Sequence, residues 1–420
     1  MALFWCRGAR VNRHLHHHAT ALATASAAAY RRPMPNAAVS RLILSKFSEP
    51  LVTETARGAL HEIGGRVSLG VVFCSADYRE HLEDFLEILQ LHAHIPLLVG
   101  CSGSGFIGTG AEAERASGFS LLLLHLPATK LHTFAFNEST APDWDDAEAW
   151  RNAVAAEPMD AWLMLSDPVG VPIEPWLGAW SRAFPGVPCI GGIASGGRDG
   201  SDTFIFQNRE VLDGGAIAIG LRGGVKLHTL VSQGCRPIGE PLPVTGVEHN
   251  FIQTIGSRPA YQVLDAAYQA LSDRDREHAK GNLFAGLAMR EDREDFHRGD
   301  FLIRNILGAD EGTGVVAIGA FPRVCQTVQF QLRDAKTADE DLRHLAALLA
   351  ADGMKPIASL AFTCGGRGRN LFNSANHDAG ILAETFTPHP SAGFFCNGEI
   401  GPVGERSYVH GYTASIVLLE

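Results

Sequence analysis

One plan recurs three times in this chain, each time over about 62 residues: strand, short turn, helix, second strand, glycine-rich turn, closing strand. The first copy covers residues 66–127, with an apolar strand at 67–73, the turn Cys74-Ser75 and a helix through Glu87-Ile88-Leu89. Ile95-Pro96 then leads to a second strand, the turn Gly100-Cys101-Ser102-Gly103-Ser104-Gly105 and a third strand at 119–126. The second copy, 160–222, has strands at 162–165 and 216–221, a helix over 176–184 and the turn run Cys189 to Gly197. The third, 358–420, has a strand at 360–362, the turn Cys364-Gly365-Gly366-Arg367-Gly368 and a helix around 377–385. Phe394 to Pro402 and a terminal strand at 412–419 complete it. Gly100, Gly191 and Gly398 read as equivalent turn glycines. The chain is therefore expected to be α/β, with repeated strand–helix–strand–strand units forming two mixed-sheet domains that arose by internal duplication.

Near-continuous apolar runs suit strands buried on both faces, and Leu82, Phe85, Leu86 and Leu89 repeat at helical spacing. Between the second and third copies lies different material. A helix is expected over 259–271, with strands near 301–307, 315–319 and 327–332. A further helix is expected to start with Thr337 as N-cap and Glu340 at the capping-box position. Domain boundaries are placed at 1–47 (leader), 48–255 and 256–420.

The leader is basic, then His-rich (His14, His16, His17, His18), then rich in Ala, Ser and Thr. It holds seven Lys and Arg before the first carboxylate, Glu49. It reads as a disordered transit-like segment or as translated upstream sequence with the true start at Met34. Residues 1–33 are expected to be dispensable for folding. The rest carries 28 basic and 46 acidic side chains, a balance that repels nucleic acid. No apolar run reaches the roughly 18 residues of a membrane span. The eight cysteines stand at least 27 positions apart, which excludes Cys-x-x-Cys metal and redox motifs. They read as reduced thiols of a cytoplasmic protein, or a mitochondrial one if the leader is a transit peptide. Neither a cofactor nor a metal site is expected.

Gly103-x-Gly105-x-x-Gly108 matches a dinucleotide fingerprint in letters only. About ten residues separate it from the next strand, too few for the helix that would hold a pyrophosphate. Ser102 and Ser195 each miss one of the two flanking glycines of a nucleophile elbow, Ser104 and Ile193 standing in those places. What remains is polar chemistry at the turns. Cys364, Gly365, Gly366 and Arg367 offer a guanidinium and open backbone N–H groups, suited to a carboxylate or phosphate. Asn397 and Glu399 on the partner turn suit an amine or hydroxyl, and Ser102 and Ser195 occupy corresponding turns. Arg367 and Glu399 either bind opposite ends of a ligand or pair with each other as a tie between loops. No residue is assigned a catalytic role.

Phe394-Phe395-Cys396-Asn397-Gly398-Glu399-Ile400-Gly401-Pro402, with His410-Gly411-Tyr412-Thr413-Ala414-Ser415, resembles the end of the FIST C-terminal domain. Ile190 to Gly197, Gly100-Cys101-Ser102 and Val231 to Gly239 resemble the FIST N-terminal domain. The resemblance implies a stand-alone sensory, signal-transduction protein that binds a small ligand, an amino acid or another small zwitterionic or anionic metabolite. The alternatives are a thiol-dependent enzyme or redox-sensitive protein using Cys364 or Cys396, and an interaction scaffold. A protein partner for signal output is left unassigned.

Overall fold

The computed structural model describes residues 35–420 apart from 197–201, 213, 293, 294 and 298. The leader up to residue 34, with its histidines, and Gly197 lie outside the described residues. The leader expected to reach residue 47 is cut short, because Ala37–Ile43 forms a strand, β1. The apolar closing strand of the first repeat needs a partner on its free edge, and Ala37 to Ile43 supply one in register with His125 to Phe119.

Unit 1 continues with α1 (Glu49–Ile63), β2 (Leu69–Cys74), α2 (Leu82–Ala93), β3 (Leu98–Ser102), β4 (Gly105–Gly108), β5 (Ala111–Glu114) and β6 (Phe119–His125). Unit 2 repeats that order. It has β7 (Lys130–Phe136), α3 (Ala147–Val154), β8 (Ala161–Ser166), α4 (Ile173–Ala183), β9 (Cys189–Ile193), β10 (Ile205–Gln207), β11 (Glu210–Leu212) and β12 (Ala216–Arg222). Unit 3 begins with β13 (Leu227–Gln233) and is then interrupted by an insertion. The inserted strands are β14 (Cys235–Glu248), β15 (Phe251–Ile255) and β16 (Arg258–Pro259), followed by α5 (Ala260–Gln269) and α6 (Asp273–Ala279). Strands β17 (Leu283–Ala288), β18 (Phe301–Asp310), β19 (Val315–Ile318) and β20 (Thr327–Arg333) complete the insertion. The unit resumes with α7 (Ala335–Ala351), β21 (Ala358–Cys364), α8 (Arg369–Phe372), α9 (His377–Thr385) and β22 (Ser391–Cys396). It closes with β23 (Glu399–Val403), β24 (Arg406–His410) and β25 (Thr413–Leu419).

Helix α7 starts earlier than expected. Asp334, not Thr337, is the N-cap, accepting from Lys336 N–H, and Thr337 Oγ1 donates to Asp334 Oδ2 at 2.6 Å. A carboxylate in that place also opposes the positive end of the helix dipole.

In each unit the first two repeat strands run parallel and the closing strand antiparallel. The hairpin that follows does not stay home. β4–β5 extends the sheet of unit 3 through β22, β10–β11 extends that of unit 1 through β3, and β23–β24 extends that of unit 2 through β9. The exchange is cyclic, so the units interlock as a pseudo-threefold body. Three six-stranded sheets result, and the insertion adds a seven-stranded antiparallel sheet that closes on itself through β14–β15. The expected 255/256 boundary falls inside the insertion, and both sequence halves contribute to one central core.

That core lies between the inner faces of the three sheets. Phe73 stacks on Phe394 at 4.6 Å and meets Phe362 edge-on at 6.0 Å. Each such ring contributes about 1.5–3 kcal/mol through burial. Outer cores form under the helices of each unit, the second built on Trp150, Trp162, Trp176 and Trp180. Parallel pairing aligns Gly100 with Val72, Gly191 with Met164 and Gly393 with Ala361. At all three glycines an added Cβ would lie 1.7–2.0 Å from the partner's carbonyl oxygen. Gly393, not Gly398, is therefore the third member of that set. Gly103-Ser104-Gly105 leads into strand β4 rather than a helix, in keeping with the rejected nucleotide fingerprint.

Candidate functional site

Counting from those glycines, Ser104, Ser195 and Asn397 occupy equivalent places on the three turns. Ser195 N–H donates to Ser102 O at 3.1 Å, and Asn397 N–H donates to Ile193 O, the equivalent carbonyl, at 3.1 Å. Ser104 completes the ring through its hydroxyl, which donates to Phe395 O at 3.1 Å. Ser195 Oγ also donates to Phe395 O and accepts from Ser104 N–H at 3.0 Å. Ser102 is buried, its hydroxyl accepting from Phe204 N–H at 3.2 Å, so it pins β10 to β3. Of the expected Ser102, Ser195 and Asn397, Asn397 alone is exposed to solvent.

Asn397 and Ser104 open onto a cleft of about 1280 Å³ at the ends of the parallel strands, where α/β sheets commonly hold ligands. Lys46, Arg79 and Arg115 bring positive charge to it, and Asp77 and Glu80 bring negative charge. Arg115 sits in the left-handed region with φ of 50°, tied back by its N–H to Ser104 O at 2.8 Å. Among the described residues Lys46 and Arg115 have no ion-pair partner. Arg79 Nη1 donates to Thr203 O at 3.3 Å.

The other expected residues stand at the turns and strand ends of unit 3. Arg367 is fully buried and forked onto Asp378, with Nε to Oδ2 at 2.8 Å and Nη2 to Oδ1 at 2.9 Å. Its face packs over Phe372 at 5.2 Å. Burial works against the Asp378 carboxylate, but Arg367 and then His377 overcome it and hold the group down at about 2. Glu399 is equally buried, and its Oε2 accepts from Thr413 N–H at 3.2 Å and from Thr413 Oγ1 at 2.7 Å. Burial pushes Glu399 up to about 8. Arg367 and Glu399 thus form no direct tie; each has its own partner.

Cys364 is partly exposed beside exposed Gly365, and its Sγ accepts from Gly366 N–H at 3.4 Å. Burial, and then Glu399, push this thiol up to about 12; burial pushes Cys396 well above its ordinary value. Neither environment favours a thiolate nucleophile.

Sequence reasoning passed over Asp378, His410 and the cleft cations. His410 stood within the stretch that carries the family resemblance, and Lys46 was assigned to the leader. Asp378, eleven residues beyond Arg367, carried no signal, because isolated Asp-Arg pairs at that separation are common.

The FIST N domain matches residues 68–258 and the FIST C domain residues 260–402. Two proteins described as uncharacterized, from Mycobacterium tuberculosis (strain H37Rv) and Mycobacterium bovis, are each 35% identical over 367 residues. That span is 87% of this chain and 94% of theirs. A crystal structure of cyanuric acid hydrolase from A. caulinodans aligns over 90% of this chain and 98% of its own. The two align with a TM-score of 0.30 and 11% identity. No helix among the described residues is long and apolar enough to cross a membrane. FIST domains are sensory, small-ligand-binding domains of signal transduction, and this chain, with both domains matched in order, belongs to the FIST family.

Proposed function

We propose that the protein is a sensor that reversibly binds a small zwitterionic or anionic metabolite, an amino acid being the simplest, in the cleft where the three repeat turns meet. The observation that supports this reading is the juxtaposition of Lys46 and Arg115, cations without ion-pair partners among the described residues, with Asp77 and Glu80 around one cleft. Opposite charges set apart on a cleft wall suit a ligand carrying both. Asn397 and Ser104, which also line it, supply an amide and a hydroxyl for orientation. The setting is cytoplasmic in this reading, in keeping with seven described cysteines that are all unpaired.

A thermal-shift screen of amino acids and organic acids tests it. Ligand at a hundredfold excess over its dissociation constant stabilises by about 2.7 kcal/mol. Arg115→Ala abolishes that response while changing intrinsic stability by no more than about 0.5 kcal/mol. Silence across the screen contradicts the reading and favours a scaffold.

A further inference from the structure

Unit 3 departs from its counterparts at one cross-strand pair. Phe106 faces Ala113 across β4–β5, Ile205 faces Leu212 across β10–β11, and Glu399 faces His410 across β23–β24. These three pairs are equivalent, because Phe106, Ile205 and Glu399 align in turn with Phe394, Cys101 and Gly192, one residue after the glycines compared above. Side chains directly opposite in an antiparallel pair share one face. The fold therefore accepts an apolar pair here, and does so twice. A buried carboxyl and imidazole are a costlier choice that the architecture does not require.

Glu399 and His410 are 0% and 2% exposed, and each is fixed by one set of bonds while leaving one polar atom without a partner. Glu399 Oε2 is held by Thr413, with the Cys364 side chain beside the carboxyl, and Oε1 has no hydrogen-bond partner in standard geometry; His410 Nε2 lies 3.1 Å from Gly401 O, leaving Nδ1. Arg367, also 0% exposed, has both bonds to Asp378 and leaves Nη1. The three belong to one neighbourhood. Arg367 Nη1 flanks Gly234, whose N–H donates to Tyr412 O at 3.0 Å, and Tyr412 precedes the Thr413 that holds Glu399. Cys364, partly exposed, and exposed Gly365 stand on the turn that carries Arg367.

We propose that unit 3 carries a second binding site, separate from the cleft, in which Glu399, His410 and Arg367 take a small uncharged carboxamide. Their chemistry selects that class. Glu399 retains its proton at neutral pH, since burial lifts it to about 8. Both Thr413 donors occupy Oε2, so the proton sits on Oε1 and that atom donates. Burial lowers His410 to about 4, so its ring is neutral; Nε2–H donates to Gly401 O and Nδ1 accepts. Arg367 Nη1 donates. Two donors and one acceptor complement an amide, whose oxygen accepts twice and whose N–H donates. Asp378 already matches the charge of Arg367, so a carboxylate would bring an uncompensated charge into a dry site. The titratable and charged neighbours are Cys364 from β21, Cys396 from β22, Tyr412 before β25, Arg304 from β18 and Arg367 itself.

Acetamide is the probe and acetate the control, read by melting temperature and by calorimetric titration at pH 7. The wild-type chain gives a saturable rise of several degrees with acetamide and none with acetate. Glu399→Ile with His410→Leu, which copies the pair of unit 2, abolishes the response, whereas Arg115→Ala in the cleft keeps it. In wild type the response falls as pH rises through 8; in Glu399→Gln, whose amide N–H replaces the carboxylic O–H, it persists to pH 9. Equal responses to acetate and acetamide overturn the proposal. So does acetamide binding that survives the double substitution, or no saturable binding at all, which would leave ordered water as the only occupant.

Discussion

Tyr78 in unit 1 and Arg367 in unit 3 hold the same place in the same turn. Each lies three residues beyond Ser75 or Cys364 and returns its N–H to that residue's carbonyl, at 3.0 and 2.9 Å. Both are fully buried. Tyr78 packs edge-on against Phe85 and Phe119, at 4.9 and 6.1 Å, and donates its hydroxyl to Ser45 O at 2.9 Å. Arg367 instead needs Asp378. One backbone framework thus supports an aromatic cluster or a buried ion pair at equivalent points. Since the aromatic solution suffices for folding, the polar solution points to a task other than folding.

Removing the partner gives the largest expected difference between the two units. Asp378→Ala strands the Arg367 charge in the interior and costs roughly 3–5 kcal/mol in urea unfolding. Tyr78→Phe, which deletes one hydrogen bond and keeps the ring, costs about 1 kcal/mol. Similar losses for both would dissolve the contrast.

The pseudo-threefold relation itself is probed at its shared glycines. Gly100→Ala, Gly191→Ala and Gly393→Ala each force a methyl group against a carbonyl oxygen, and each costs about 1–3 kcal/mol or more. Gly398→Ala meets the flexible end of Ile193, at 2.7 Å, rather than backbone, and is the milder change. A tolerated alanine at Gly393 alone would remove unit 3 from the set.

Those glycines mark where sequence reading succeeded and where it stopped. The three repeats, their apolar strands and the helices between them were visible because continuous apolar runs and 3.6-residue periodicity are local signals. So were α5 and the strands β18, β19 and β20. Gly398 was matched to the wrong partners because register across a parallel pair is set by distant backbone. The cyclic hairpin exchange was hidden for the same reason: β4 and β22 pair across more than 280 residues. In the site, Arg367 and Glu399 were singled out by residue type. Asp378 and His410, which give them their chemistry, become partners only through packing.

Titration separates the units by a smaller amount. The folded-state value of Glu399 is raised from 4.5 to about 8, so its contribution is complete below pH 4.5 and is lost as pH rises to 8. Glu112, raised by burial to about 7, acts in the same direction and is half titrated at pH 7. His410, lowered from 6.5 to about 4, works oppositely: its contribution is present above 6.5 and lost as pH falls through 4. Over the interval from pH 7 to 8 Glu399 dominates, contributing a fall of about 1 kcal/mol in wild type against about 0.3 from Glu112; Glu399→Gln removes the larger part and leaves the smaller. An unchanged slope in that variant would mean that Glu399 is ionised throughout.

The claim that the polar pair of unit 3 serves a site rather than the fold is tested most directly by equilibrium urea unfolding of Glu399→Ile with His410→Leu at pH 7. With the apolar pair of unit 2 in place, the account predicts a cooperative transition at the same or a higher urea concentration than wild type. A chain that fails to fold, or that unfolds at markedly lower urea, would contradict it and make Glu399 and His410 part of the architecture.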